Sequence, residues 1–600
     1  MKRISFLFGI CAALCLQAQP NYTGTNATGQ LMLVRTVNLS RQAQFLAVAQ
    51  GLATEAIFDL EVPPSTAADS LRRLPVRRRR PESLPAGSLF DSAAAASPPF
   101  RELSISVNPG FAGFGFNGST HRDQRQSNNG NQFSIEPPNP SIAVSAGFIL
   151  EGVNNAVQVY SVKGVPLLPQ AVSSNQMFGL APGIDRTTGV QGPKLTDMRV
   201  FYDQGIDRWF VVQRSLDSDA SGNPLTTSHL YIAVSQTNDP AGTYNIYAMD
   251  TTNGGNRGCP CLPDYPQIGA DQYGFYVSAN EFNTIFSSFV DATILAISKA
   301  SLASGARLPS AYQIVVHPST GYEFTIQPAV TPPGGSYFLA NNGLEYFVSS
   351  INPLSGSASS SGSNLAVWSL TNTASLATAS PSPLLSQTLV PSLTYVAPDV
   401  ASQRPGPLPY GSTLFPPGRL ANIDGGDTRV LSVSYAGGRL YATLGTQVTD
   451  DNGHSVVGGA YFVISPTFRG ARLSAFTLRQ GFLSVNNNHL LRPAIAVNPQ
   501  GKGAVVFTLV GPDYYPSAAF LPIDTFSTGT AIQIAGPGAG PEDGFTGYPG
   551  GFGVGIARWG DYSEAVAGAD GSIWMVAEYI PNLPRTQFAN WGTFLIQYVF

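Results

Sequence analysis

The chain has 600 residues and a net charge of −4. Only 12% of its side chains are charged, and 62 glycines accompany 47 prolines. This composition favours β-rich architecture with many turns and leaves ample material for a large core. It excludes the usual nucleic-acid binder, which needs a basic footprint.

The first residues read as an export signal. Lys2-Arg3 precede the short apolar run Ile4 to Leu16, and Ala18 is a plausible last residue before cleavage. The run is too short to span a bilayer comfortably, and no second stretch approaches that length. A small residue before Cys15 would suggest lipidation, but Leu14 stands there. The mature chain then keeps only Cys259 and Cys261, as Cys-Pro-Cys. In an oxidising compartment these are a loop clip, a strained bridge or two free thiols.

The expected organisation is a signal peptide over 1–18, an N-terminal extension and Arg/Pro/Ala-rich linker over 19–100, and a β domain over 101–600. Gln42 to Leu60 carries apolar residues at roughly helical spacing, and residues 71–80 hold six arginines. The arginine run reads as a solvated linker, with a processing site or anionic-surface anchor as the alternative. Leu103 to Val107 alternates as a lone strand, and Gly110 to Gly130 reads as a Gly/Asn-rich loop.

From Ser141 onward one unit recurs: strand, tight turn, second strand. Its turns are Ala146-Gly147, Asp203 to Asp207, Asp271 to Gly274, Pro332 to Gly335, Ala436 to Gly438, Asn498 to Gly501, and Asp570-Gly571. Each holds residues that tolerate hairpin backbone angles. A third strand follows most hairpins, such as Leu230 to Val234 and Thr593 to Gln597. Seven such units predict an all-β, seven-bladed β-propeller, with six or eight blades open because the Pro328 to Leu339 unit alternates poorly. A two-domain β-sandwich is the fold alternative. Radial closure suits a secreted monomer. The strand over 103–107 is the expected outer strand of the last blade.

The phrases Phe201-Tyr-Asp-Gln-Gly-Ile-Asp-Arg-Trp-Phe210, Asp264-Tyr-Pro, Tyr276 to Phe282 and Arg558-Trp-Gly-Asp-Tyr-Ser563 resemble a set found in large secreted bacterial proteins. The resemblance covers about residues 138–600 and implies a propeller and an exported location, without an activity. The unit is also remotely similar to sialidase propellers. Ala569-Asp-Gly-Ser-Ile-Trp574 matches their Ser-x-Asp-x-Gly-x-x-Trp box only in part, and no convincing arginine triad accompanies it.

Propeller geometry places the hairpin turns on one face, the bottom. Starts of first strands and ends of second strands share the top face. Asp264, Tyr265, Arg558, Asp561 and Tyr562 fall there, as do Arg214, Glu281 and Glu578. Carboxylates interleaved with aromatics suit a glycan or protein ligand. Glu281 and Glu578 are also the candidate pair for an extracellular glycoside hydrolase or lyase. The bland alternative is that these acids pair with Arg214 or Arg558 and tie blades together, as in a structural envelope protein. Asp203, Asp207, Asp271 and Asp570 read as turn-formers.

Asp217 to Asn223 begins like a calcium loop, but Ser228 stands where the closing acid belongs. The five histidines are scattered, no Gly-x-Ser-x-Gly elbow exists, and the glycine loops at 536–540 and 550–555 are not phosphate cradles. No cofactor and no metal is expected.

Overall fold

The computed structural model describes residues 21–44, 104–253, 258–351, 361–414, 418–469, 472–548 and 555–600. The signal, the apolar-periodic stretch beyond Gln44, the arginine run and Leu103 lie outside them.

Seven antiparallel sheets follow one another in chain order. Their innermost strands are Ser141–Val144, Lys194–Asp203, Cys261–Ala270, Gln327–Pro328, Val430–Ala436, His489–Val497 and Glu564–Ala567, which define blades 1 to 7. Each innermost strand touches the next, and that of blade 7 touches that of blade 1, so the ring closes. The fold is a seven-bladed β-propeller. Its core lies between blades: Phe210 of blade 2 stacks on Phe275 of blade 3 at 4.3 Å between ring centres.

The closing strand differs from expectation. Phe114–Thr120 pairs with Gly592–Tyr598 and completes blade 7. Ser106–Asn108 instead runs parallel to the last strand of blade 6. Two of the glycines that made 110–130 read as a loop, Gly115 and Gly118, sit where blade 7 is crowded. A Cβ at Gly118 would overlap Leu595 and Thr593, and one at Gly115 would strike Phe594.

The extension also contributes strands. Asn21–Tyr22, Thr25–Asn26 and Met32–Asn38 add a fifth strand to blades 4, 3 and 2. They cover sheet edges that would otherwise be left unpaired. Val37 and Leu39 are buried there in the core between blades 1 and 2.

Blade 4 departs from the simple unit. Its second strand is Leu344–Ser349, whereas the expected segment Tyr337 to Leu339 is irregular. Pro328, Pro332 and Pro333 remove ladder donors. Val330 is instead gripped by blade 5: its N–H donates to Val433 O and its carbonyl accepts from Tyr435 N, each at 2.9 Å.

Candidate functional site: a sealed upper ring and a channel cavity

The upper ends of the inner strands break their ladder repeatedly. Register shifts fall at Thr196/Arg199, Asp264/Gln267, Val430/Ser432 and Leu491/Ala494. Asn139, Asp197, Tyr265, Thr325 and Arg492 adopt left-handed backbone angles, with φ between 49° and 59°. Such conformations cost about 1–3 kcal/mol each and persist where surroundings impose them. A bulge re-aims a side chain; here the re-aimed groups meet around the axis.

They form a polar belt across three blade boundaries. Asn139 Nδ2 donates to Asp561 Oδ2 at 2.9 Å and to Asp197 Oδ1 at 3.0 Å. Arg214 Nε donates to Asp197 Oδ2 at 2.8 Å, and its Nη2 lies 3.1 Å from Asp264 Oδ1. Inside this belt the rings of Tyr265 and Tyr562 meet edge to face at 5.6 Å. Arg199 lies over Tyr562 at 4.3 Å and Arg429 over Tyr265 at 4.5 Å. This cation–aromatic stack seals the upper end of the channel. Burial pushes both phenols far above their ordinary range.

A roof of insertions covers the belt. Asn422–Ile423 pairs in parallel with Ile556–Ala557. Ile423 and Trp559 pack on Val457, Leu491, Val510 and Ile580, at strand ends of blades 5, 6 and 7. Phe545 packs on Val153 of blade 1 and Trp591 of blade 7.

The eight residues expected on the top face are therefore placed as follows. Arg214 and Asp264 form an ion pair, Arg558 stands 3.8 Å from Asp561, and Tyr265 and Tyr562 touch each other. Glu281 is 1% exposed and accepts from Thr293 Oγ1 at 2.9 Å. Burial, with Asp291 and Asp264 adding to it, pushes its carboxyl up to about 7. Glu578 is 3% exposed and accepts from Gly560 N at 2.9 Å. Burial raises it well above the carboxylate range, and Glu136 and Asp561 add to the rise. These two acids stand on blades 3 and 7 and share none of the groups that shift them. Only Arg558 of the eight keeps appreciable exposure. None of the eight lines the channel cavity described below.

Sequence reasoning missed several members of this ring. Asn139, Asp197, Arg199, Arg429 and Arg492 lie in strands or linkers without motif character. Their one signal is a polar residue interrupting an apolar inner strand, as Arg199 does between Met198 and Val200. Glu136 and Glu542, buried side by side against Gly544, were also missed.

Below the stack the channel widens into a cavity of about 430 Å3 lined by all seven blades. Its floor is Arg199, paired with Glu564 at 3.0 Å. Exposed Gln204, Gly205 and Gly334 mark its mouth, on the face of the hairpin turns. Tyr202 and Tyr337 stand half-buried beside the mouth, with Pro332 and Pro333 between blades 4 and 5. Asp203 at the rim holds its own turn, accepting from Gly205 N at 2.8 Å, and takes Lys299 Nζ at 2.6 Å. Asp271 and Asp570 likewise accept from their own turn amides. Tyr202 Oη–H donates to Asp207.

Asp219 is occupied within its own loop, accepting from Ser221 N and Asn223 N at 2.9 Å. Among the described residues no three His, Cys, Asp or Glu side chains are grouped to hold a metal ion. Cys259 and Cys261 are joined as a disulfide. Among the described residues no helix is long and apolar enough to cross a membrane.

With fold and site in hand, the class is a seven-bladed propeller with a sealed upper ring and a channel open at the turn face. No protein-family model matches the chain, and no curated protein sequence matches it. Among solved structures it is similar to a Hadza microbial sialidase, at 8% identity and a TM-score of 0.32, over 75% of this chain and 73% of that one. A Trypanosoma rangeli sialidase in complex with sialic acid matches at 10% identity and 0.31, over 67% of this chain and 54% of that one. This match spans about half the length of the trypanosomal enzyme. A Penicillium chrysogenum α-L-arabinanase complexed with arabinobiose matches at 10% and 0.30, over 77% and 94%. The propeller assignment rests on the sheet topology, and these likenesses carry no activity across.

Proposed function

We propose that this protein is an exported binding module that takes a glycan or protein ligand into its central channel from the face of the hairpin turns. The observation that carries this reading is the cavity of about 430 Å3 to which every blade contributes. Its volume falls within the ~300–1,000 Å3 of small-ligand sites. The top-face groups offer less support as a ligand surface, because their charges already pair with one another under the roof. A hydrolase reading through Glu281 and Glu578 requires two carboxyls flanking one ligand, ~5–9.5 Å apart. Both are buried, in separate surroundings. Export is supported by Lys2-Arg3 with its apolar run and by the Cys259–Cys261 disulfide, which suits an oxidising compartment.

The test is a small-ligand screen by ligand-observed NMR on the mature protein, repeated with Ser434→Phe. Ser434 lines the cavity, so the added ring occupies it. Ligands that bind wild type and are lost in the variant support the channel site. Ligands that bind both proteins equally refute it.

A further inference from the structure

We infer that Glu136 and Glu542 share one proton, and that this proton latches the roof onto the linker entering blade 1, so that the roof loosens as the pH rises. The inference goes beyond the channel reading and does not depend on it. Three observations lead there.

The first is proximity. A Cβ placed on Gly544 would overlap Oε1 of Glu136 and Oε1 of Glu542 alike, so the two oxygens lie within about 4 Å of each other. Glu136 is 5% exposed and Glu542 1%. Two carboxylates this close, and out of water, cannot both stay ionised; one proton between them turns repulsion into a hydrogen bond.

The second is what the oxygens lack. As carboxylates, Glu136 Oε1 and both side-chain oxygens of Glu542 have no hydrogen-bond partner. Buried polar atoms in native proteins are nearly always satisfied. A carboxyl that keeps its proton becomes a donor, and the other carboxyl stands within its reach. The acids are not grouped to hold a metal ion, so a proton is what fits between them.

The third is placement. Glu136 belongs to the linker before blade 1, which Asn154 anchors: its Nδ2 donates to Pro137 O at 2.7 Å and its N–H to Pro138 O at 2.6 Å. Glu542 belongs to the roof insertion after blade 6. Its N–H donates to Gln403 Oε1 at 2.7 Å, and Gln403 Nε2 donates to Ala421 O at 2.8 Å in the other insertion. Thr546 N, also in the roof, donates to Glu136 Oε2 at 2.8 Å. The pair therefore sits on the seam between roof and propeller, and a charge gained there acts on that seam.

The neighbours fix the direction. Glu578 and Asp543 face the pair as further anions and Arg585 as a cation. Glu578 in turn feels Arg492 and Asp561. Burial holds the phenols of Tyr410 and Tyr548 above their ordinary range, and it lowers His121, beside Arg585, to about 3. Burial raises both glutamates, and the charge of Glu136 raises Glu542 further. The closed roof thus holds a proton that an opened roof, with glutamate near its ordinary 4.5, releases. The latch is fully present below about pH 4.5 and weakens as the pH rises, by about tenfold in the opening equilibrium per pH unit, until the closed pair itself ionises.

Hydrogen exchange of the mature protein, corrected for the intrinsic pH dependence of amide chemistry, reads the opening at the amides of residues 542 and 546. In wild type the opening equilibrium is expected to rise at least about tenfold per pH unit between about pH 5 and about pH 8. Glu542→Gln gives Glu136 a permanent donor at unchanged pair charge, and Glu136→Gln does the converse. Each variant is expected to lower the slope by about one proton, about tenfold per pH unit. A slope that stays at the wild-type value in both variants overturns the inference, because the titrating group is then Glu578 or Asp561. A wild-type roof that opens equally at every pH overturns it as well, and that result needs no variant. The wild-type series is repeated with calcium chloride. Protection that grows with calcium in wild type and not in the Gln variants would place a cation between the acids and overturn the shared proton.

Discussion

Replacing Arg214 with methionine tests whether the upper ring is a dry, structural belt. Arg214 lies between Asp197 and Asp264, and all three side chains are only 5–6% exposed. Methionine fills similar volume but leaves two carboxylates in low dielectric without their shared cation. Removing one partner of a buried pair costs about 3–5 kcal/mol. With two anions stranded, the expected loss is about 5 kcal/mol, at the upper end of that range. Urea unfolding followed by tryptophan fluorescence reads it well, because all five tryptophans are buried within blades or roof. The companion is Arg214→Met with Asp197→Asn and Asp264→Asn, which removes the stranded charges. Asn139 can still serve position 197 through its amide. Most of the lost stability should return in that triple variant. A loss below about 1 kcal/mol for Arg214→Met, the value of an exposed pair, would refute the reasoning, since it would mean that water reaches the belt.

Glu281 gives a pH prediction. Its folded carboxyl is raised from 4.5 to about 7, so the folded state holds a proton that the unfolded chain releases. Its contribution is fully present below about pH 4.5 and is lost as pH rises through 7, a change of about 3 kcal/mol. Glu281→Gln should flatten the fall in melting temperature over that window, and an unchanged pH profile would sink the assignment. Gly118→Leu should destabilise by about 1–3 kcal/mol through overpacking against Leu595 and Thr593, measured by thermal unfolding; wild-type stability would contradict the placement of the closing strand. Tyr265→Phe removes a buried hydroxyl that has no hydrogen-bond partner, so stability should stay level or rise by up to about 1 kcal/mol. A clear drop in the melting temperature would show that the hydroxyl has a partner.

Much of the fold was legible because its signals are local. Asp203, Asp271 and Asp570 announce their turns, and in the structure each accepts from amides two or three residues along. The places where reading failed have a common cause in crowding and edges. Phe114–Thr120 looked like a loop because two of its seven residues are glycines, yet those glycines are where blade 7 leaves no room for a Cβ. Residues 21–38 carry short polar pieces with no core pattern of their own, and they become strands by completing edges that other blades present. At the site, the sequence brought forward residues with motif character, such as Glu281 and Glu578. The residues that shape the cavity, Arg199, Gln327 and Glu564, have none.

The sequence by itself determined that this is an all-β chain of seven hairpin units, because alternation and turn chemistry act over a few residues. Only the tertiary structure decided which charges are spent and where the channel opens. The deciding partners are remote in the chain: Asn139 meets Asp561 across 422 residues, and Arg199 meets Glu564 across 365. Ring closure brings them together, and no local pattern encodes a pair whose halves meet only when the last blade closes the ring against the first two.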